Sequence, residues 1–396
     1  MIAPDLALYL HLPWCVRKCP YCDFNSHTAG AKPPRDRYVV ALCRDLERQA
    51  PRAAGRPLVS IFIGGGTPSL FSGAEIGEVL AAVRANYELC DDIEITMEAN
   101  PGTVERHNLS GYREAGVNRL SLGAQSFDAR TLQALGRIHG PAEIGAAVSD
   151  ARAAGFSNLN LDLMFALPGQ DLAMAAADLD SALELAPTHL SLYQLTLEPN
   201  TVFYRQPPAG LPDDELAWDM QEQAFERLTR AGFSRYEISA FARDDGGAPC
   251  RHNLNYWNYG DYLAVGAGAH GKITDRDGQI WRYSKTAHPR GYLDETLQDA
   301  FAGDSLRPIA DADRLFEFML NALRLPQGFS EAGFEARTGM PADGLRGRLA
   351  GLAADGLLEA ETGGHWRPSS LGLRFLNDLQ AAFLPAPEGP RDGAPG

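Results

Sequence analysis

Leu6-Ala7-Leu8-Tyr9-Leu10-His11-Leu12-Pro13-Trp14-Cys15-Val16-Arg17-Lys18-Cys19-Pro20-Tyr21-Cys22 is the stretch that decides the fold. Its first seven residues form a short apolar run closed by Pro13. That is too short for a helix and reads as a buried strand. Three cysteines follow within eight residues, and then an amphipathic helical stretch over Arg35–Gln49. A strand, a polar loop and a helix in that order begin a parallel β/α architecture.

The same rhythm continues outward. Further strands are predicted at Val59–Ile63, Ile93–Glu98, Arg119–Ala124, Leu159–Phe165 and Leu190–Leu195. Helices are predicted between them at Gly73–Asn86, Thr103–Ala115, Ala142–Ala154 and Leu172–Ala186. Glycines that end helices precede several strands, as in Ala115-Gly116-Val117 and Ala154-Gly155-Phe156. Six such units suit an incomplete (β/α)6 TIM-type barrel better than a closed eight-unit one. Glycine-rich and polar segments fall just after the strands, at 11–25, 64–68, 98–101, 125–127, 162–170 and 194–199. In a β/α barrel these ends share one mouth.

The rhythm stops near 235, so residues 1–235 are expected to form the barrel. Residues 236–305 form a connecting segment rich in aromatics and glycine. Residues 306–384 read as a helical, winged-helix-like domain: Leu315, Phe316, Phe318, Met319 and Leu323 lie at helical spacing, and a second helix over Leu345–Asp355 precedes a Gly363-Gly364 turn and Trp366. Residues 385–396, Pro- and Gly-rich, are expected to be disordered. Gly266–Gly271 satisfies GxGxxG, but Asp275-Arg276-Asp277-Gly278 behind it reads as a hairpin turn, so a dinucleotide site is not expected.

Charge narrows the function class. The net charge is −15, which argues against a broad grip on nucleic acid. In the second C-terminal helix Arg346 and Arg348 are offset by Asp355, so a DNA-reading wing is not expected. The longest apolar runs, such as 58–66, fall short of the ~20 residues that span a bilayer. The start, Met1-Ile2-Ala3-Pro4-Asp5, has no basic or long apolar region, so no signal peptide and a cytoplasmic location are expected.

Six cysteines are too few for a disulfide scaffold. Cys15, Cys19 and Cys22, at C-x3-C-x2-C spacing, read as metal or cluster ligands. Three thiolates leave tetrahedral zinc one ligand short, so a zinc site would need His11 or His27. A [4Fe–4S] cube with three protein thiolates keeps one iron open for another ligand. Three glycines at 64–66 let backbone approach a ligand closely. His252 in Arg251-His252-Asn253-Leu254-Asn255-Tyr256-Trp257 reads either as an axial heme ligand beside an apolar Tyr256–Trp257 wall, or as a hydrogen-bonded loop histidine with those aromatics in an inter-domain core.

Tyr9-x-His11-x-Pro13-x-Cys15-x3-Cys19-x-Tyr21-Cys22 resembles the cluster loop of radical S-adenosylmethionine (SAM) proteins, in the variant of the oxygen-independent coproporphyrinogen III oxidase-like branch. The resemblance covers roughly residues 5–380. It implies a [4Fe–4S] cluster on Cys15, Cys19 and Cys22, whose open iron binds SAM and whose electron yields a 5′-deoxyadenosyl radical. It also implies SAM binding by Tyr9, Tyr21, Gly65, Gly66, Thr67, Glu98, Gln125, Arg137 and Asp162. Within the branch, Phe24 stands where the oxidases carry a fourth cysteine, and only fourteen residues precede Cys15. The segment from His252 to Trp257 and the loop Cys22-Asp23-Phe24-Asn25-Ser26-His27 resemble the HemW family of heme chaperones. That resemblance implies heme bound at His252, Tyr256 and Trp257, with His139 and His270 as secondary ligand candidates. The implied function is to bind heme and transfer it to acceptor, respiratory hemoproteins, with a reductant for the cluster as a further partner. The alternatives are radical oxidation of coproporphyrinogen III, which Phe24 and the short N-terminus disfavour, and another radical SAM activity.

Overall fold

The structure, a computed structural model, describes residues 3–103, 106–298 and 304–385. Six strands pair in parallel, each with the next: β1 (Leu6–Leu12), β2 (Leu58–Gly65), β3 (Leu89–Ala99), β4 (Arg119–Gln125), β5 (Asn158–Phe165) and β6 (His189–Gln194). The helices between and after them are α1 (Arg35–Gln49), α2 (Gly73–Asn86), α3 (Arg106–Ala115), α4 (Pro141–Ala153), α5 (Leu172–Glu184) and α6 (Asp214–Arg230). Their starts are written in side chains. Ser72 and Glu75 form a reciprocal capping box on α2, and Asp171 and Asp213 cap α5 and α6.

The strands alternate more than a uniformly buried parallel strand does. Leu8, Leu10, Ile61, Ile63, Ile95, Met97, Leu120, Leu122, Leu161 and Leu163 are buried in the main apolar core. The other face carries Tyr9, His11, Ser60, Glu94, Thr96, Glu98, Arg119, Ser121, Asn160, Asp162 and Ser191. Those residues bond to one another across strands, as in Asn160 Nδ2 donating to Ser121 Oγ at 2.7 Å and Ser191 Oγ donating to Asn160 Oδ1 at 3.1 Å. The barrel interior is therefore largely polar, interrupted by Phe62 and Met164, and period-2 spacing selects which residues reach it.

The segment after the barrel closes it further than the sequence implies. β7 (Phe233–Glu237) and β8 (Ala240–Arg243) add antiparallel strands beside β6. The seven-residue helix α7 (Arg251–Trp257) then leads to β9 (Asp261–Val265), which pairs in parallel with β1 on the opposite edge. β10 (His270–Thr274) and β11 (Ile280–Ser284) complete that edge as the expected hairpin, with Arg307–Pro308 outermost. The result is one mixed twelve-stranded sheet with a parallel core. Asp261, fully buried, fixes β9: it accepts from Arg56 at 2.7 Å, Lys272 at 2.9 Å and the Thr274 amide at 2.8 Å.

The C-terminal unit has its own core, built on Phe318, Met319, Phe334, Leu345, Leu349 and Leu379. It comprises α8 (Asp311–Ala322), α9 (Glu331–Thr338), α10 (Asp343–Ala354) and a small sheet of β12 (Leu358–Glu361) and β13 (His365–Pro368) joined by Phe329–Ser330. Arg346 is engaged by Glu331 at 2.8 Å and by Asp343. The disordered tail expected from 385 concerns residues 386–396, which lie outside the described residues. Among the described residues no helix is long and apolar enough to cross a membrane.

Candidate functional site

The cysteine loop leaves the end of β1 and returns upon itself. The amides of His27 and Ala29 donate to the carbonyls of Pro13 and Cys15, both at 2.7 Å, so residues 13–15 and 27–29 pinch the loop at its neck. His11 anchors it from below: its Nε2 lies 2.9 Å from the Asn25 carbonyl, and its Nδ1 lies 3.0 Å from the Tyr9 hydroxyl. Asn25 Nδ2 in turn donates to the carbonyls of Ala267 and Ala287, joining the loop to the far edge of the sheet.

Cys15, Cys19 and Cys22 all face one cavity of about 360 Å³. Burial pushes the Cys15 and Cys22 thiols up, so cluster assembly must displace their protons. The zinc alternative does not fit. Both His11 nitrogens are engaged and His27 Nε2 faces Asn25 Oδ1 at 3.2 Å. Among the described residues no three His, Cys, Asp or Glu side chains gather tightly enough to hold one ion. Three thiols spread around a pinned loop suit the wider cube.

The same cavity is lined by Tyr21, Gly65, Gly66, Thr67, Glu98, Gln125, Arg137 and Asp162, eight of the nine residues expected to hold SAM. They sit at the carboxyl ends of β2 to β5 and on the loops beyond, with Tyr21 on the cysteine loop after β1. The glycines have a structural cause as well. A Cβ on Gly66 would lie 2.7 Å from the Trp14 carbonyl oxygen, and one on Gly65, at φ +117°, would strike the His11 ring. Strand β2 therefore meets the cysteine loop through bare backbone. Gln125 holds a left-handed φ of 69°, a strain of a kind that concentrates at functional sites.

Charge in the cavity is arranged for a zwitterion. Glu98 accepts the Gly65 amide at 3.1 Å, and Asp162 accepts from Ser121 at 3.0 Å and Asn160 at 2.8 Å. Burial first, then the charge of Asp162, lifts the Glu98 carboxyl from 4.5 to about 8 against the pull of the Gly65 amide. Across from them Arg137 donates to the Gly123 carbonyl at 2.8 Å and faces Cys19 Sγ at 3.7 Å, while its Nε is buried without a partner. Acids on one side and an incompletely satisfied guanidinium on the other fit a ligand bearing both an ammonium and a carboxylate.

Glu98 gives a pH test. The folded, ligand-free protein holds the Glu98 proton up to about 8, whereas the unfolded chain loses it near 4.5. Over that window the folded state binds more protons, so this group's contribution to stability falls as pH rises. Glu98→Gln is expected to flatten the decline in melting temperature between about pH 5 and 8 by a few degrees, read by thermal unfolding of cluster-free protein. An unchanged profile would show that the folded protein holds this carboxylate ionised over that range.

Tyr9 lies one level down, outside the cavity lining, its ring stacked on Phe62 at 6.3 Å and its hydroxyl bonded to His11. The heme candidates lie elsewhere. His252 is 1% exposed, with Nδ1 3.0 Å from Ser60 Oγ and Nε2 3.1 Å from the Tyr256 hydroxyl. Its amide and that of Arg251 donate to Glu94. Ser60 precedes Gly65 by five residues on β2, so α7 plugs the barrel ~16 Å below the mouth. Burial and Arg119 push His252 down to about 3, and as folded it offers iron no nitrogen. The Glu94 carboxylate holds the start of α7 at the amino end of the strands, away from the cysteines. Trp257 packs under Arg324 at 4.3 Å. His139 is likewise buried, with nitrogens 3.1 Å from both Asn100 Oδ1 and the Ala124 carbonyl. His270 is exposed.

Ser121, Asn100, Met164 and Tyr193 also line the cavity without having been singled out. Their signal was available: Met164 follows Asp162 by two on β5, and Ser121 precedes Gln125 on β4.

Comparison with known proteins agrees with this geometry. Residues 9–182 match the Radical SAM superfamily and residues 309–375 match the HemN C-terminal domain. The chain is 49% identical over 381 residues to an Escherichia coli protein named heme chaperone HemW, covering 96% of this chain and 98% of that one. It is 34% identical to the Bacillus subtilis protein of the same name, covering 95% and 98%. The fold is that of the coproporphyrinogen III oxidase HemN from Escherichia coli, a radical SAM enzyme, with a TM-score of 0.80 and 24% identity over 96% of this chain and 90% of that one.

Proposed function

The chain belongs to the HemW family of the radical SAM superfamily, and from that membership we propose that it is a heme chaperone, binding heme and passing it to acceptor hemoproteins such as respiratory enzymes. The observation that carries the reading is near-half identity sustained over almost the whole of both chains. The superfamily carries a [4Fe–4S] cluster and SAM, and the cavity suits both. Cys15, Cys19 and Cys22 are the proposed cluster ligands. When bound, the two groups together supply one-electron reductive chemistry at a sulfonium. The remaining work falls to side chains. Glu98 and Asp162 are placed to accept from an ammonium and hydroxyls, and Arg137 to donate to a carboxylate. Tyr9, through His11 and Asn25, holds the cysteine loop in register. Met164 and Leu195 add apolar surface to the cavity lining.

For heme, His270 is favoured over His252 and His139, because it alone of the three is exposed. The segment from His252 to Trp257 is read as a barrel plug, with service to heme requiring α7 to leave Glu94 and Ser60. Six free cysteines fit a reducing compartment, and the cytoplasm is the proposed location.

The test is anaerobic reconstitution, then titration with hemin and with SAM, then mixing with an apo-hemoprotein. Saturable hemin binding followed by transfer of the Soret band is the expected result. His270→Ala should shift that band. Hemin binding without saturation would overturn the reading. Coproporphyrinogen III, supplied with SAM and a reductant, is expected to remain unconverted, because Phe24 occupies the fourth-cysteine position. Sustained multiple turnover to protoporphyrinogen would favour the oxidase instead.

A further inference from the structure

One buried carboxylate ties two loops of the mouth together from outside the cavity. Asp178 lies on α5, in the helical layer around the strands, and is 6% exposed. Three donors from the loops after β4 and β5 converge on it. The Phe127 amide donates to Oδ1 at 2.6 Å, and the Ser126 hydroxyl and Gln170 Nε2 donate to Oδ2 at 2.8 and 3.1 Å. Burial pushes the carboxyl up, and these donors pull it back. An ionised carboxylate, which only accepts, matches all three at once; an amide in its place would turn a donor toward one of them.

Both loops leave their strands through a left-handed residue. Gln125, at φ 69°, comes immediately before Ser126. Ala166, at φ 56°, comes immediately before Leu167, whose amide donates to Gln170 Oε1 at 3.2 Å. Residues with side chains resist that region, and the bonds around Asp178 hold the chain just past it.

From Ser126 the bonds run on to Arg137. Ser126 Oγ accepts the Asp128 amide at 3.0 Å. Asp128 Oδ1 accepts the amide and hydroxyl of Thr131 at 2.8 and 2.9 Å and so caps the six-residue helix Ala129–Ala134. The Arg137 amide then closes on the Leu132 carbonyl at 2.9 Å. This run delivers Gln125 and Arg137 to the cavity side by side. A Cβ on Gly123 would lie 2.8 Å from Gln125 Nε2 and 3.2 Å from Arg137 Nη2, so both side chains cross the same bare backbone.

We infer that Asp178 is a positioning residue for the proposed SAM site, setting where the Arg137 guanidinium meets the carboxylate of the ligand. The inference rests on the SAM reading above. A purely architectural role would weaken every ligand alike. A bond path that ends on the guanidinium acts on ligands that carry a carboxylate, because the paired geometry of those two groups is what displacement destroys.

The experiment uses the full chain with reconstituted cluster, with affinities taken per cluster. The probes are SAM and decarboxylated SAM, which keeps the adenosine, sulfonium and ammonium and lacks the carboxylate. Asp178→Asn is expected to weaken SAM ~tenfold and to leave decarboxylated SAM within about twofold of wild type. Ser126→Ala removes the bridging hydroxyl while leaving the carboxylate in place, and should weaken SAM ~threefold; it carries the test if Asp178→Asn fails to fold. In an Arg137→Gln background, either substitution should weaken SAM no further, since the group it positions is gone. Wild-type SAM affinity in both variants would overturn the inference. So would an equal loss for the two probes, or a loss that persists undiminished in the Arg137→Gln background; each would leave Asp178 a purely architectural residue. An Arg137→Gln chain with wild-type SAM affinity, or a wild-type chain that binds no SAM, would instead overturn the reading of the site, and the inference with it.

Discussion

Cys15→Ala, Cys19→Ala and Cys22→Ala are each expected to remove nearly all [4Fe–4S] absorbance after anaerobic reconstitution, with Cys43→Ala, Cys90→Ala and Cys250→Ala keeping it. A cube already short of one protein thiolate is held by only two after the substitution, and the binding energy of a cluster resides in those bonds. The other cysteines are remote by construction. Cys43 lies on α1, Cys90 at the start of β3, and Cys250 is fully buried at the foot of the barrel, 3.4 Å from Glu94 with its thiol pushed up to about 12 by burial. The measurement is iron and sulfide content beside the visible spectrum. A Cys250 variant that loses the cluster as completely as the Cys19 variant would refute the three-ligand set. Thermal unfolding of cluster-free protein separates the cases: Cys19→Ala and Cys22→Ala should barely change it, whereas Cys15→Ala and Cys250→Ala each remove a buried side chain.

His252→Ala is expected to act on stability. The substitution leaves the hydroxyls of Ser60 and Tyr256 without their imidazole partner and opens a void under Phe62, whose ring lies 5.1 Å from that of His252. Each buried unsatisfied group costs about 1–3 kcal/mol and the void adds to it, so a loss of ~3 kcal/mol is expected. That corresponds to several degrees in melting temperature. Hemin titration at low temperature, where the variant remains folded, should give the wild-type Soret band and affinity. A lost or shifted band with unchanged melting temperature would show the reverse, that α7 swings out and presents the imidazole to iron. His252→Gln, which can still bond both hydroxyls, should recover much of the stability and cannot restore a heme ligand of the same kind.

The catalogue of mouth residues was legible because chain direction settles it. In a parallel β/α unit every strand runs the same way, so whatever follows a strand lands at one end. Glu98, Gln125 and Asp162 needed no more than that rule to be gathered with the cysteines, and the hydrophobic periods located α1 and α2 to the residue. The identity of the inner face was there too, in the alternation of Asp162 with Leu161 and Leu163. It was obscured because the strands are apolar enough on average to resemble strands buried on both sides.

Residues 236–305 show where sequence reasoning stops. Nothing local says that β9 crosses to the far edge and pairs with β1, since that depends on Asp261 meeting Arg56 and Lys272, residues 205 and 11 positions away. Nor does the motif from His252 to Trp257 declare an end of the barrel, because a connecting segment can return to either. The Glu94 carboxylate, by accepting the first amides of α7, draws it to the foot. The glycines at 65 and 66 likewise advertised a close approach without naming the partner, which proved to be the His11 ring and the Trp14 backbone. The sequence by itself determined the run of six β/α units, the cysteine loop and the set of groups at the mouth, all consequences of local pattern and chain direction. Only the tertiary structure decided which histidines keep a free nitrogen, because burial and long-range hydrogen bonding have no local signature.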